Sequence, residues 1–324
     1  MLPETIREVD PVRLFRGLLL AAALIAPAVQ AAQQTIRIGY QKSSTLLMLA
    51  KQQGTLEQAL ASHNIRVKWH EFSSGLPLLE ALNLNNIDIS ADVADTVPVF
   101  IQAAGGELIW FAREAPSPRA QAIVVAANSP LRRIQDLKGR KIAVTKAAGS
   151  HYLLIAALKQ AGLSFSDITP AWLTPADGRA ALESGSVDAW VTWEPFVTSA
   201  RIQQHVRILT DGEGLADYQR YYLASRAWGK DNPQVLAIVW QTLRQEADWI
   251  KQNPHQAAKL LAPLWGNLAP DIVEQANARR SYQVEPVTRE SLKEQQSIAD
   301  AFFDARLLPR RIDTRAVEIW YPAP

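Results

Sequence analysis

The sequence contains no cysteine among its 324 residues. This absence excludes disulfide bonds, thiolate nucleophiles and cysteine-based zinc sites. The chain also lacks an excess of either charge. It has 34 Lys and Arg residues and 32 Asp and Glu residues, so its formal net charge is +2. Nucleic acids bind broad basic surfaces, so this balance argues against them as partners. Beyond the amino terminus, no apolar run reaches the ~20 residues that a membrane-spanning helix needs.

Motifs for catalysis are also missing. The five histidines, at positions 63, 70, 151, 205 and 255, form neither an HExxH motif nor another close pair on one helix face, so no zinc site is predicted. The sequence has no G-x-S-x-G or Walker loop, and Gly212-Glu213-Gly214 lacks the third glycine of a dinucleotide site. We therefore expect a binding protein without cofactor or metal rather than an enzyme.

The amino terminus has the pattern of a secretory signal. Arg13 and Arg16 precede an apolar run over residues 17–26, and Val29-Gln30-Ala31 provides small residues at the spacing of a cleavage site. We predict a cleavable signal peptide over residues 1–31. No cysteine follows it to carry a lipid anchor, so we expect a mature protein in the periplasm that does not itself span the membrane.

The remaining chain alternates between strand and helix patterns. Residues 35–40 alternate like a strand, and a polar turn then leads to an apolar-periodic helix that begins at Leu46. Similar units follow, and Pro116-Ser117-Pro118 separates them into two series. This order predicts an α/β protein with two lobes, each with a mostly parallel sheet that helices cover on both faces.

The carboxyl-terminal third has helix patterns and almost no strand patterns, so it does not predict a third α/β lobe. We expect it to pack back on the first lobe. The predicted organisation is a first part of lobe one over residues 32–118, lobe two over 119–221, and a mostly helical second part of lobe one over 222–324. The chain would then cross between lobes twice, as a two-strand hinge, with the ligand in the cleft.

Two strand–turn–helix segments have the features of anion sites. Backbone N–H groups at a helix amino terminus lack partners and carry partial positive charge, so they can bind an oxyanion. The candidate ligand-binding residues are Gln41, Ser43, Ser44 and Thr45 in one turn, and Gly149, Ser150 and His151 in the other. Ordinary helix capping is the alternative for each turn alone. Their pairing across a cleft favours ligand binding.

Four further candidates are two aspartates, a tryptophan and a glutamate: Asp92, Asp95, Trp193 and Glu194. Asp95 stands where a helix cap belongs, whereas Asp92 does not. Trp193 follows an apolar strand pattern and could form a flat wall at the mouth of the cleft. Glu194 either begins a helix or pairs with an amine on a zwitterionic ligand, in which case Glu194→Gln would weaken only amine-bearing ligands.

Four runs resemble the periplasmic aliphatic-sulfonate-binding proteins of ABC importers: RIGYQK (37–42), DLKGRK (136–141), LTPAD (173–177) and VDAWVTWEP (187–195). The resemblance covers about residues 33 to 323. It implies the type II periplasmic binding protein fold, with two α/β lobes of mixed sheets flanked by helices around a two-strand hinge. It further implies a monomer that captures a small organosulfonate anion and passes it to an ABC permease and its ATPase.

The resemblance is incomplete in the second anion turn. Family members often have K-G-S-S-S-H where this chain has KAAGSH (146–151), and Ala94 stands where a glycine is usual. Two hydroxyl donors are thus missing, which leaves sulfate esters, taurine or another oxyanion as alternative ligands. Enzymes that handle thiamine precursors share the implied fold and are a less favoured alternative.

Overall fold

The computed structural model describes residues 33–322, so the predicted signal peptide lies outside the described residues. The strands are β1 Gln34–Gln41, β2 Ile65–Phe72, β3 Ile89–Ala94, β4 Leu108–Glu114, β5 Gln121–Val125, β6 Lys141–Val144, β7 Thr169–Trp172, β8 Ala189–Trp193, β9 Arg207–Asp211, β10 Arg220–Ser225, β11 Val284–Glu285 and β12 Glu318–Ile319. The helices are α1 Leu46–Gln53, α2 Thr55–Ala61, α3 Gly75–Asn83, α4 Thr96–Ala103, α5 Gly149–Gln160, α6 Pro175–Glu183, α7 Phe196–Gln203, α8 Arg226–Asp231, α9 Pro233–Gln252, α10 Pro254–Leu261, α11 Pro270–Asn277 and α12 Lys293–Asp304.

The strands form two mixed sheets. The seven-stranded sheet has the order β11-β4-β10-β3-β1-β2, with β12 also beside β4, and the five-stranded sheet has the order β7-β6-β8-β5-β9. β1 is parallel to β3, whereas β10 is antiparallel to both of its neighbours. β6 is parallel to β7 and β8, whereas β5 is antiparallel to β8 and β9. The prediction of mixed sheets flanked by helices is confirmed.

We call the seven-stranded sheet with its helices the first lobe and the five-stranded sheet with its helices the second lobe. The chain passes between them at residues 115–120 and again at 212–219. The two crossings touch, since Gly212 donates its N–H to Pro118 O at 3.0 Å. A Cβ on Gly212 would stand 2.5 Å from that oxygen, so this approach requires glycine. β10 begins at Arg220, so the predicted boundary after residue 221 falls inside a first-lobe strand.

Each sheet is buried on both faces, which explains the continuous apolar runs of its central strands. In the second lobe, Val191 faces the core beneath α5, while Trp190 faces the core beneath α7. In the first lobe, α1, α9 and α10 pack together over one face. Across residues 33–322, none of the helices combines the length and apolarity that crossing a membrane demands.

The carboxyl-terminal helices contact both lobes, which the sequence did not predict. α9 and α10 pack on α1 of the first lobe, as expected. α11, however, packs against α7, and α12 packs against both α4 and α5. Phe302 of α12 is fully buried in the resulting apolar cluster beside Val99 and Ile155. The last third of the chain therefore joins the lobes rather than covering the first lobe alone.

Candidate functional site

Two cavities lie between the lobes, and Gln41 and Trp193 line both of them. We call them the wide cavity, of about 280 Å³, and the narrow cavity, of about 10 Å³. Gln41 ends β1 and Trp193 ends β8, so the cavities lie beyond the carboxyl ends of strands from both sheets. Ligands of open α/β sheets bind in this position, because the loops there leave a crevice.

The walls of the wide cavity are mainly apolar. Phe72 and Trp265 come from the first lobe, and Pro175 and Phe196 come from the second. The other lining residues are Gln41, Lys42, Ser43, Glu71, Ser73, Thr174, Ala176, Trp193, Pro195 and Gly266. A mostly apolar pocket with a few polar groups is typical of a site for a small organic ligand.

The narrow cavity lies against the first turn of α5. It is lined by Gln41, Gly75, Ala94, Val97, Ala148, Gly149, Trp193, Tyr218 and Arg220. Its volume is about that of one water molecule's probe sphere. A Cβ on Gly149 would stand 2.4 Å from the Tyr218 ring, so the amino terminus of α5 can approach the first lobe this closely only with glycine there.

The turn after β1 contributes two of its four predicted residues to these cavities. Gln41 Nε2 donates to Asp92 O at 3.1 Å, and Ser43 Oγ accepts from Trp193 Nε1 at 3.1 Å, which joins the two lobes. Ser44 and Thr45 face inward instead. Ser44 Oγ accepts from Gln41 N at 3.2 Å, and Thr45 precedes α1 without capping it through its side chain.

The turn before α5 places its predicted residues in different surroundings. Gly149 lines the narrow cavity, and Ser150 is fully buried with a hydroxyl that has no hydrogen-bond partner among residues 33–322. His151 lines neither cavity. Its ring lies 4.8 Å from Phe302 and 5.1 Å from Trp172, and Nδ1 accepts from Ala147 N at 3.3 Å.

His151 is a neutral member of an aromatic cluster. Burial lowers its pKa to about 3, and the charge of Lys146 adds to this effect. The imidazole therefore carries no charge near neutral pH and offers no positive group to an anion. The structure supports a packing role for this side chain.

Asp92 belongs to a buried network of charged side chains. Its carboxylate pairs with Arg220 and, at 3.1 Å, with Arg280, whose Nη2 also lies 2.7 Å from Glu114. Two arginines and two carboxylates thus neutralise one another. Arg220 is 2% exposed and lines the narrow cavity, and its Nε has no hydrogen-bond partner within the described chain.

Asp95 does not cap α4, although it directly precedes that helix. Its Oδ2 accepts from Gln219 N at 2.8 Å and thereby binds the segment that leads into β10. Burial raises the pKa of Asp95 to about 7, while the hydrogen bond from Gln219 opposes that rise. Neither cavity is lined by Asp95.

Glu194 caps α7 and lines neither cavity. Its two oxygens accept from Thr198 N at 3.0 Å and from the Thr198 hydroxyl at 2.8 Å, and Arg279 Nε lies 2.9 Å from Oε1. Burial raises the pKa of Glu194 to about 7, although the Thr198 hydrogen bonds and the Arg279 charge lower it. The helix-start alternative for this residue thus has direct structural support, and the ligand-amine alternative does not.

Sequence reasoning missed the residues that only the fold brings to the cleft. Arg220, Tyr218, Phe72 and Trp265 line a cavity but lie in segments without a recognisable motif. Thr174 also lines the wide cavity, and it belongs to the LTPAD run that resembles the family. That run alone does not identify Thr174 as a site residue. Among residues 33–322, no cluster of three or more His, Cys, Asp or Glu side chains could hold a metal ion.

Comparison with known proteins identifies relatives over nearly the whole chain. The family model described as NMT1/THI5 like matches residues 80–257. An aliphatic sulfonates-binding protein of Escherichia coli (strain K12) is 40% identical over 94% of this chain and 94% of its own length. One of Bacillus subtilis (strain 168) is 32% identical over 87% of this chain and 85% of its own length.

A solved structure shares the same architecture. The alkanesulfonate-binding protein SsuA from Xanthomonas axonopodis pv. citri, bound to MOPS, superposes with a TM-score of 0.82 at 38% identity, over 88% of this chain and 98% of that chain. These relatives are binding proteins rather than enzymes. With these identities and this coverage, the chain belongs to the aliphatic-sulfonate-binding family of periplasmic binding proteins, within the NMT1/THI5-like group.

Proposed function

We propose that this protein captures aliphatic sulfonates in the periplasm and delivers them to an ABC permease and its ATPase. The observation that carries the proposal is the pair of adjoining cavities between the lobes, which meet at Gln41 and Trp193. The narrow cavity offers hydrogen-bond donors, and the wide cavity offers apolar walls. A sulfonate has the same two parts, an anionic head and an organic tail.

We assign the head group to the place where the two cavities adjoin beside the first turn of α5, because the narrow cavity alone has room for only about one water molecule. The first backbone N–H groups of a helix have no partner one turn earlier, so those of Gly149 and Ser150 can donate to sulfonate oxygens, whereas His151 N already donates to Ala148 O at 2.9 Å. Arg220 lines the narrow cavity, and its unpartnered Nε is a further donor; Ser150 lines neither cavity, but its unpartnered hydroxyl is carried by the residue after Gly149, which does. The Arg220 charge is balanced by Asp92, so the head would be held mainly by oriented donors. These donors take the place of the two hydroxyl groups that the KAAGSH turn lacks.

The tail is assigned to the wide cavity. Phe72, Pro175, Phe196 and Trp265 surround it with apolar surface, and burial of a methylene group there contributes about 0.8 kcal/mol. Sulfate and nitrate have no tail and would leave these walls in contact with water. Taurine would place its ammonium in the wide cavity, where the carboxylate among the lining residues is that of Glu71. Taurine and sulfate esters therefore remain alternative ligands.

Lobe closure completes the proposed site. The Trp193 Nε1 to Ser43 Oγ bond joins the two lobes beside the cavities, and Thr96 Oγ1 donates to Ala147 O at a second interlobe contact. A ligand that binds both lobes stabilises this arrangement, which the importer would recognise. The proposal includes a cleaved signal peptide over residues 1–31, a hinge at the two crossings, and a monomer.

Thermal melting of the purified protein tests the proposal. The panel is methanesulfonate to octanesulfonate, taurine, an aryl sulfate, sulfate and nitrate. A ligand of the folded state at ~100 times its Kd adds about 2.7 kcal/mol to the free energy of unfolding. We expect alkanesulfonates to raise Tm, more so as the chain lengthens. A shift with sulfate esters or nitrate alone would reassign the substrate, and the absence of any shift would refute oxyanion binding.

A further inference from the structure

Two adjacent arginines after α11 contact opposite lobes. Arg280 is buried in the first lobe, where Nη1 donates to Thr45 Oγ1 at 2.8 Å and Nη2 pairs with Glu114 at 2.7 Å. Arg279 points the other way, and its Nε lies 2.9 Å from Glu194 Oε1 in the second lobe. The backbone that carries Arg279 is thus fixed to the first lobe through its neighbour.

Arg279 also contacts the first crossing and the strand that leads into the second crossing. Its Nε donates to Arg119 O at 2.7 Å in the first crossing. Its Nη2 lies 3.9 Å from Asp211 Oδ2, where β9 ends and the second crossing begins. The Arg279 guanidinium therefore contacts the first crossing and the second lobe, while Arg280 holds the adjacent backbone to the first lobe. Rotation about the crossings would change these distances together.

Glu194 links this contact to the walls of the wide cavity. Its neighbours Trp193 and Pro195 both line that cavity, although Glu194 itself does not. The side chains of Arg279 and Glu194 are 13% and 1% exposed in the closed arrangement. Moving the lobes apart would separate a guanidinium that is fixed to one lobe from a carboxylate that is fixed to the other. The pair thus favours the closed over the open arrangement.

We propose that Arg279 is a positioning residue that holds the second lobe closed through Glu194 and so raises the affinity for every ligand of the cleft without touching any. This inference rests on the proposed function. Apparent affinity falls in proportion to the fraction of protein in the binding-competent state. Loss of Arg279 should therefore weaken all ligands by one common factor.

The test compares Arg279→Gln, Glu194→Gln and the double variant in binding to methanesulfonate, octanesulfonate and taurine. Each single variant is expected to raise all three Kd values by a common factor of about ten, mainly through faster dissociation. The double variant should regain part of the affinity, because it leaves no buried charge without its partner. Arg119→Gln is the matched control, since it removes an arginine charge beside the same crossing from a side chain that is 61% exposed.

A ligand-free measurement separates this inference from the proposed function. Small-angle scattering should give ligand-free Arg279→Gln a larger radius of gyration than the wild type. The inference is overturned if both the Kd values and this radius are unchanged, or if the loss is confined to taurine, which would make Glu194 an amine contact. A wild-type protein that binds no sulfonate refutes the proposed function instead, and the scattering result then decides the inference by itself.

Discussion

The Ser150 side chain carries a hydroxyl group that the fold leaves without a hydrogen-bond partner among residues 33–322. It is fully buried in the first turn of α5, and its hydroxyl has no partner in the described part of the chain. A buried hydroxyl without a partner destabilises a protein, typically by about 1–3 kcal/mol, unless a ligand supplies the missing bond. This side chain is therefore the place where stability and binding should respond in opposite directions to substitution.

Ser150→Ala is expected to leave the ligand-free protein as stable as the wild type or more stable, while weakening sulfonate binding about tenfold or more. The expected loss reflects a hydrogen bond to a charged group, which contributes about 1.5–3 kcal/mol. Chemical denaturation and calorimetric titration measure the two effects. Ser44→Ala is the control, because Ser44 Oγ already accepts from Gln41 N at 3.2 Å, so its loss should reduce stability. Unchanged affinity in Ser150→Ala would exclude the hydroxyl as a ligand donor.

His151 makes the stability of the protein depend on pH. Its pKa is about 3 in the folded protein against an ordinary value of 6.5, mainly because burial disfavours the charged imidazole. Between these values the unfolded chain binds a proton that the folded chain does not bind. Stability is therefore lost as the pH falls below 6.5, by about 1.4 kcal/mol per pH unit.

His151→Phe should make the stability less sensitive to acid. Phenylalanine suits the aromatic surroundings of Phe165 and Phe302 and has no proton to bind. Asp95 and Glu194, with pKa values raised to about 7, act in the opposite direction, so the measured quantity is the difference between variant and wild type. Unfolding free energies at pH 7 and pH 5 provide it. Equal pH dependence in both proteins would contradict the neutral, buried imidazole.

At the scale of elements, α12 connects the two lobes through one side chain. Phe302 is fully buried, and its ring lies 4.9 Å from Phe100 of α4 and 4.8 Å from His151 of α5. That this segment is helical was readable in the sequence, because helix patterns fill the carboxyl-terminal third, and the helix spans Lys293–Asp304. The helices that α12 packs against were not readable, because the apolar stripe of a helix has the same sequence pattern whichever surface covers it.

Phe302→Ala is expected to destabilise the protein by about 3–5 kcal/mol, since it leaves a cavity where α4, α5 and α12 meet. Ligand affinity should fall as well, because the same packing holds α5 against the first lobe. Phe303→Ala on the same helix is the control and should cost less, since Phe303 is only half-buried and lies beside Arg311. Thermal melting with and without octanesulfonate distinguishes the two effects. A Phe302→Ala protein as stable as the control would contradict the bridging role.

At the scale of the whole molecule, the two lobes are joined in the described arrangement by hydrogen bonds, an ion pair and an apolar cluster. The wide cavity lies beside one of these contacts, the Trp193 to Ser43 hydrogen bond. Ligand binding and lobe movement are therefore expected to be coupled, since a ligand that contacts both lobes binds best when they are closed.

Small-angle scattering should show that octanesulfonate reduces the radius of gyration of the protein, toward the roughly 19 Å expected for a compact chain of this length. Trp193→Phe removes the Nε1 bond to Ser43 and should reduce the ligand-induced change. Chloride at the same ionic strength is the control for a salt effect. A radius that does not respond to any bound ligand would show that the cleft does not close on it.

The α/β class, the alternation of strands and helices and the family could all be read from the sequence. Local patterns suffice for these, because strand alternation, helix periodicity and ordered runs such as LTPAD are properties of neighbouring residues. The two strand–turn–helix segments were also readable, since residues 42–45 lie between β1 and α1 and residues 145–148 lie between β6 and α5.

The contacts of each candidate side chain, in contrast, could be read only from the folded protein. Asp92 and Glu194 carry carboxylates, which often contact ligands, yet these carboxylates pair with Arg220 and Arg279. Those arginines lie far from their partners in the chain and have no motif around them. A buried charge is stabilised by whichever opposite charge the fold places beside it, and no local pattern in the sequence contains that information.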